Sequence, residues 1–108
     1  MPQLRFRGVE LGTITQISTA LVDELQQLLD CPRGDLTLEV VSSVYIQDGQ
    51  AVAGYPFIEV LWFDRGQLLQ DETAKVITRY LQSAGVDACD IFFTHLHGDN
   101  YYENGEHF

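Results

Sequence analysis

Positive charge is what this chain has least of. Its 108 residues hold 6 lysines and arginines against 16 aspartates and glutamates, a formal charge of −10 at pH 7. Binding nucleic acid needs a basic footprint that displaces counterions, so the balance argues against that class. The same balance works against anionic membrane surfaces. A small anionic substrate stays open, provided that local arginines receive it. Cysteine is scarce too. Cys31 and Cys89 stand far apart with no Cys-x-x-Cys, which leaves no zinc ribbon or thioredoxin-type centre and reads as two small buried side chains. No apolar run is long enough to span a bilayer. The N-terminus lacks the basic-then-apolar layout of a signal peptide. The expected compartment is the cytoplasm.

What is present is an ordinary apolar fraction, 45%, enough for one modest core in a single domain over residues 1–108. The chain reads twice as strand, helix, strand. Gln3-Leu4-Arg5-Phe6-Arg7 alternates apolar and polar residues, a strand pattern. Gly8 and Gly12 bracket a loop. Thr13-Ile14-Thr15-Gln16 has the form of a capping box and predicts a helix start there. Ile14, Ile17, Leu21, Val22, Leu25, Leu28 and Leu29 then form one helical face, and Pro32 stops the helix. Residues 36–46 are predicted as one strand, with Leu36, Leu38, Val40, Val44 and Ile46 on one side. A turn-rich loop with Asp48-Gly49 and Gly54 follows.

The plan then repeats. Residues 57–63 form an aromatic and β-branched strand. The acid-to-Gln spacing from Asp64 to Gln67 predicts the second helix start. Leu69, Thr73, Val76, Ile77, Tyr80, Leu81 and Ala84 make its stripe, and Gly85 falls where a left-handed cap belongs. Residues 90–94 are the fourth strand. The pseudo-repeats span 2–46 and 56–95, each opening on a proline, Pro2 and Pro56, with a tail over 96–108.

The expected class is α+β: two βαβ pseudo-repeats forming a four-stranded mixed sheet with two helices on one face. The other face would carry Arg5, Arg7, Glu39, Tyr45, Glu59, Leu61, Phe92 and Asp90. A fully solvated face has no need of Leu61, Phe63 and Phe92, so this face is expected to pack against other subunits.

These residues resemble the tautomerase superfamily, the group of 4-oxalocrotonate tautomerase and macrophage migration inhibitory factor. Met1-Pro2 followed at once by a strand is similar to the superfamily's start, where removal of Met exposes a proline. The tail Asn100-Tyr101-Tyr102-Glu103-Asn104-Gly105-Glu106-His107-Phe108 resembles the Asn-rich, Phe-ending tail of the migration inhibitory factor branch. The whole chain looks closer still to a small uncharacterised bacterial family within the superfamily. The resemblance implies a homotrimer with active sites near the proline, and no cofactor. It implies Pro2 as the catalytic base of keto–enol proton transfer on a small 2-keto acid or related enol. A secondary amine in an apolar pocket has a lowered pKa and suits that task.

The supporting residues depart from the family. The oxalocrotonate branch has an arginine after its first strand and a Gly. The nearest match here is Arg65 in Asp64-Arg65-Gly66. The migration inhibitory factor branch has a lysine before its second strand, where this chain has Cys31, with Arg33 two residues on. Its tyrosine at the start of the last strand is matched by Asp90. Arg33 and Arg65 are the candidate anion contacts, and Trp62 is a candidate pocket wall.

A competing pattern lies in Phe93-Thr94-His95-Leu96-His97-Gly98-Asp99-Asn100. Its His-x-His-x-Asp spacing resembles the zinc motif of metallo-β-lactamases, but the next residue is Asn100 rather than His. An open catalytic zinc site takes three protein ligands, and few residues remain downstream to complete one. The segment reads instead as the fourth strand entering a turn at Gly98-Asp99-Asn100. Three functions are therefore in play: a tautomerase using Pro2, a non-enzymatic trimeric scaffold or binding protein, and, more remotely, a metal binder using His95, His97 and Asp99.

Overall fold

The computed structural model describes residues 1–108. Strand β1 (Gln3–Arg7) turns Leu4 and Phe6 inward and Arg5 and Arg7 outward. Helix α1 (Leu11–Leu29) buries Ile14, Ile17, Leu21, Val22, Leu25 and Leu29, the expected stripe. β2 (Thr37–Val41) runs parallel to β1. β5 (Phe57–Phe63), helix α2 (Gln67–Ser83) and β6 (Asp90–Leu96) repeat the unit. β5 is antiparallel to β1 and β6 is parallel to β5, so the order β2-β1-β5-β6 is one mixed four-stranded sheet. Both helices cover one face. Leu4, Phe6, Ile58, Val60 and Trp62 on the sheet meet Leu21 and Leu25 of α1 and Ile77 and Leu81 of α2 in one buried cluster. Each such side chain contributes about 1.5–3 kcal/mol by leaving water.

Two expected helix starts are corrected. α1 begins at Leu11, before Thr13, and no side chain caps it. Thr15 Oγ1 donates to the Leu11 carbonyl at 2.8 Å, which consumes the hydroxyl inside the helix. At α2, the Asp64 carboxylate accepts the Gly66 N–H at 2.9 Å, closing a turn ahead of the helix. Gln67 reaches forward to Asp71 rather than back to a cap. The predicted end of α2 holds. Gly85 takes φ +92°, its N–H bonds to Gln82, and the Val86 N–H bonds to Leu81. This is a Schellman cap.

The predicted strand over 36–46 is also corrected. β2 ends at Val41, and the chain leaves the sheet in a hairpin of β3 (Tyr45–Gln47) and β4 (Gln50–Val52). The cause is Asp48-Gly49, both at positive φ (52° and 77°), which makes the two-residue turn that hairpins favour. Tyr45 therefore does not lie on the open sheet face. A second hairpin, β7 (Tyr102–Glu103) and β8 (Glu106–His107), turns at Asn104-Gly105 in the same way.

The open face carries Arg5, Arg7, Glu39, Glu59, Leu61, Phe63 and Phe92 as expected. Its charges pair within the chain: Arg5 Nε lies 3.1 Å from Glu39 and Arg5 Nη1 lies 3.9 Å from Glu59. Thr94 Oγ1 donates to Glu59 at 3.0 Å. The radius of gyration is 15.0 Å, against about 13 Å for a compact chain of this length. The β3–β4 hairpin stands outside the four-stranded sheet, with Val44 77% and Ile46 69% exposed.

Candidate active site

Strand register builds the site. Gln3 pairs with Thr37 of β2 and with Leu61 of β5. Continued one residue back, the parallel pair sets Pro2 beside Leu36 and the antiparallel pair sets it beside Trp62. One more step along the antiparallel pair sets Met1 opposite Phe63, while on the β2 side Asp35 belongs to the short helical turn Arg33–Asp35. The Thr37 N–H donates to the Pro2 carbonyl at 3.2 Å and holds this end of β1 in place. Pro2 shares the face of Leu4 and Phe6 and is fully buried.

Trp62 is also fully buried, its ring centroid 5.0 Å from that of Phe93. Arg65, just beyond the end of β5, sets its guanidinium carbon 5.8 Å from the Trp62 ring centroid. Arg65 Nη1 donates to the Leu29 carbonyl at 3.4 Å, at the end of α1. Two buried donors have no partner: Arg65 Nε and Trp62 Nε1. Each unpaired buried donor costs about 1–3 kcal/mol, so both are suited to an incoming oxygen.

Charge accounting singles out Arg65. Arg5, Arg33, Lys75 and Arg79 each pair with a carboxylate. Arg7 is exposed over the Phe57 ring, 5.1 Å from its centroid. Arg65 is half-buried and has no carboxylate, in a chain with 16 of them.

Met1 lies on the open-face side. The Tyr101 O–H points to Met1 Sδ at 3.9 Å. Tyr101 in turn packs in an aromatic cluster with Phe63 and Phe108, whose two rings stack at 4.9 Å. The α-amine of Met1 is held below its ordinary pKa, first by burial and then by the Arg65 charge, with Asp35 and Cys31 pulling the other way. While Met1 is present, the Pro2 nitrogen is an amide.

Pro2, Trp62 and Arg65 are thus brought together, and Arg33 is not. Arg33 Nη1 lies 2.6 Å from Asp23 and 3.3 Å from Gln26, tying the short turn Arg33–Asp35 to α1. Its orientation follows from the nearest acid, which sits on the outer surface of α1. Asp35 and Tyr101 were missed. Asp35 lies in the short turn before β2 and Tyr101 in the folded-back tail, so no strand or helix pattern marked either.

The histidine segment forms no metal centre. His95 faces α2, its Nε2 2.9 Å from Gln70 Oε1. β6 ends at Leu96 and a short turn, Gly98–Asn100, follows His97. No three His, Cys, Asp or Glu side chains in the chain converge as metal ligands. A separate open cleft of about 760 Å³ lies at the foot of the β3–β4 hairpin, lined by residues such as Gly8, Val40, Tyr45 and Val52 and not by Pro2.

The strand order, the two helices on one face and the proline at the head of β1 define the class: this is the tautomerase and macrophage migration inhibitory factor fold. A migration inhibitory factor-like protein from Entamoeba histolytica superposes with a TM-score of 0.71 at 18% identity, covering 99% of this chain and 98% of that one. A fused 4-OT, described as a wild-type asymmetric trimer, superposes at 0.77 with 8% identity, covering 97% and 94%. These likenesses carry the fold alone. Within that class, the chain belongs to the family called Domain of unknown function (DUF1904), whose pattern matches residues 1–107. The crystal structure of a DUF1904 domain from Sebaldella termitidis is 36% identical over 100% of both chains, with a TM-score of 0.91. No protein of curated function matches the chain. No helix is long and apolar enough to cross a membrane.

Proposed function

We propose that the chain, once Met1 is removed, is a cofactor-free tautomerase with Pro2 as its base. The observation that carries this reading is Arg65: a half-buried cation without a carboxylate, beside the start of β1. The freed Pro2 nitrogen would be a secondary amine in a site that disfavours its charged form, through burial and through Arg65. Such an amine takes a proton from the carbon next to a carbonyl and returns it elsewhere on the substrate. Arg65 Nε would receive the carboxylate or the developing enolate oxygen, with Trp62 Nε1 as a second donor. The substrate class is a small 2-keto acid or its enol. Arg33, engaged with Asp23, is left outside the site.

The test is ketonisation of phenylenolpyruvate by the processed chain, with Pro2→Ala and Arg65→Gln beside it. Activity is expected in the parent and lost in both variants. Equal rates in parent and Pro2→Ala would refute Pro2 as the base.

The assembly proposed is a homotrimer. The open face with Leu61, Phe63 and Phe92, the unpaired edges of β2 and β6, and the exposed Val44, Ile46 and Val52 all support self-association. A sedimentation mass of a single chain would refute it.

One observation favours the second reading, a trimeric scaffold without chemistry. Met1 is itself accommodated, half-buried with Tyr101 on its sulfur. A chain that keeps Met1 has no free Pro2 amine, and intact mass of the protein decides which form is present.

A further inference from the structure

The site contains a nucleophile that the Pro2 reading does not use. In the chain that starts at Met1, the α-amine is a primary amine; the antiparallel register carried two residues beyond Gln3–Leu61 sets Met1 opposite Phe63, and the Asp35 charge acts on the amine from the short turn before β2. Tyr101 holds its sulfur from the open face, and Thr37 holds the next residue's carbonyl. Arg65 is close enough for its charge to act on the amine, and its Nε has no partner. An amine with carbonyl chemistry needs two things around it: a low proton affinity and a contact that orients the carbonyl compound. Burial and an adjacent cation supply the first. An anion-receiving donor supplies the second.

We propose that the Met1 α-amine captures 2-oxo acids as an imine, with Arg65 holding the substrate carboxylate. The nitrogen lone pair attacks the ketone carbon and a C–N bond forms. Asp35, whose charge acts on the amine, takes the two amine protons from nitrogen in turn and delivers both to the former carbonyl oxygen. That oxygen leaves as water and the C=N bond closes. The balance is amine plus ketone to imine plus water, with no oxidant or reductant. The proposal shares Arg65 with the tautomerase reading and is independent of a freed Pro2.

The chain carries its own reference. It has one lysine, Lys75, an exposed side chain paired with Glu72 at 3.5 Å. Met1 and Lys75 are therefore the two primary amines to compare. The experiment uses the full chain with Met1 confirmed by intact mass. Pyruvate and cyanoborohydride are added near neutral pH, and peptide mapping reads the reduced adduct at each amine. Acetone serves as the carbonyl without a carboxylate, and the chain unfolded in urea gives the rate of an ordinary α-amine.

Folding should raise pyruvate labelling of Met1, relative to Lys75, by about tenfold, the equivalent of one charge-assisted contact. Acetone should gain much less. Arg65→Gln should remove the advantage of pyruvate over acetone, and Arg65→Lys should keep part of it. Asp35→Asn should slow both carbonyls. Pyruvate labelling of folded Met1 at the unfolded rate, adducts on Lys75 alone, or an unchanged pyruvate-to-acetone ratio in a folded Arg65→Gln would each overturn the proposal. The tautomerase assay uses the chain without Met1, so the two ideas fail separately.

Discussion

Gly8→Ala tests the geometry on which the site depends. Gly8 follows β1 at φ +72°, and a Cβ built there would stand 2.4 Å from the Tyr55 carbonyl oxygen, 2.7 Å from its carbon and 3.0 Å from the Pro56 nitrogen. All three are backbone atoms at the entry to β5, so no side chain can swing aside. The left-handed conformation costs an alanine about 1–2 kcal/mol. Forcing a methyl into a packed site costs about 1–3 kcal/mol more. The expected loss is therefore roughly 2–5 kcal/mol. Two other glycines separate the contributions. Gly85→Ala has the conformational cost without the clash, since φ is +92° and nothing lies within 4 Å. Gly12→Ala, in α1 with open space around it, should gain about 0.5–1 kcal/mol. Urea unfolding at one fixed chain concentration gives all three midpoints. The order Gly12→Ala above parent, then Gly85→Ala, then Gly8→Ala is expected. A Gly8→Ala midpoint no lower than that of Gly85→Ala would show that β1 and β5 do not approach as described. The register that brings Pro2 to Trp62 would then lose its support.

Arg5→Glu would set a third carboxylate between Glu39 and Glu59 on the open face; sedimentation should show the proposed assembly falling toward single chains, and an unchanged mass would place the interface elsewhere. Glu24 is held below its usual pKa of 4.5 by hydrogen bonds from Arg79 and then Tyr80. Its contribution is present above pH 4.5 and is lost as pH falls through the lower folded value, so Glu24→Gln should flatten the acid side of a stability-versus-pH curve. The Met1 amine is also depressed from its usual 8.0, by burial and then Arg65. Its contribution to stability grows as pH rises from the folded value toward 8.0 and is lost as pH falls. Arg65→Gln should raise the amine's pKa, read as a shift in the pH dependence of its labelling.

Legibility followed the range of the interactions. The alternation Leu4, Phe6 and the stripe from Ile14 to Leu29 are local patterns, and both reached the core as read. The Schellman cap at Gly85 is equally local. The two expected helix starts failed because Thr13 already lies inside α1, whose first residue is Leu11, and because the Asp64 carboxylate takes the Gly66 N–H in a turn ahead of α2. The hairpin after β2 was missed although Asp48-Gly49 announces one, because an apolar run seemed to continue through Val44 and Ile46.

At the site, Pro2 and Arg65 came from resemblance and Trp62 from its place in a strand. Nothing along the chain could separate Arg65 from Arg33. Both are arginines in polar loops, and only the packed structure sets one against Trp62 and the other against Asp23. The sequence by itself determined the two βαβ units, the net negative charge, and the proline at the head of β1. The tertiary structure decided which half-buried cation was left without a carboxylate, and that Tyr101 and the Asp35 charge act on the first residue. The reason is physical: periodic burial is set by neighbours three or four residues away, whereas the pairing of residue 3 with residues 37 and 61 exists only once the sheet has closed.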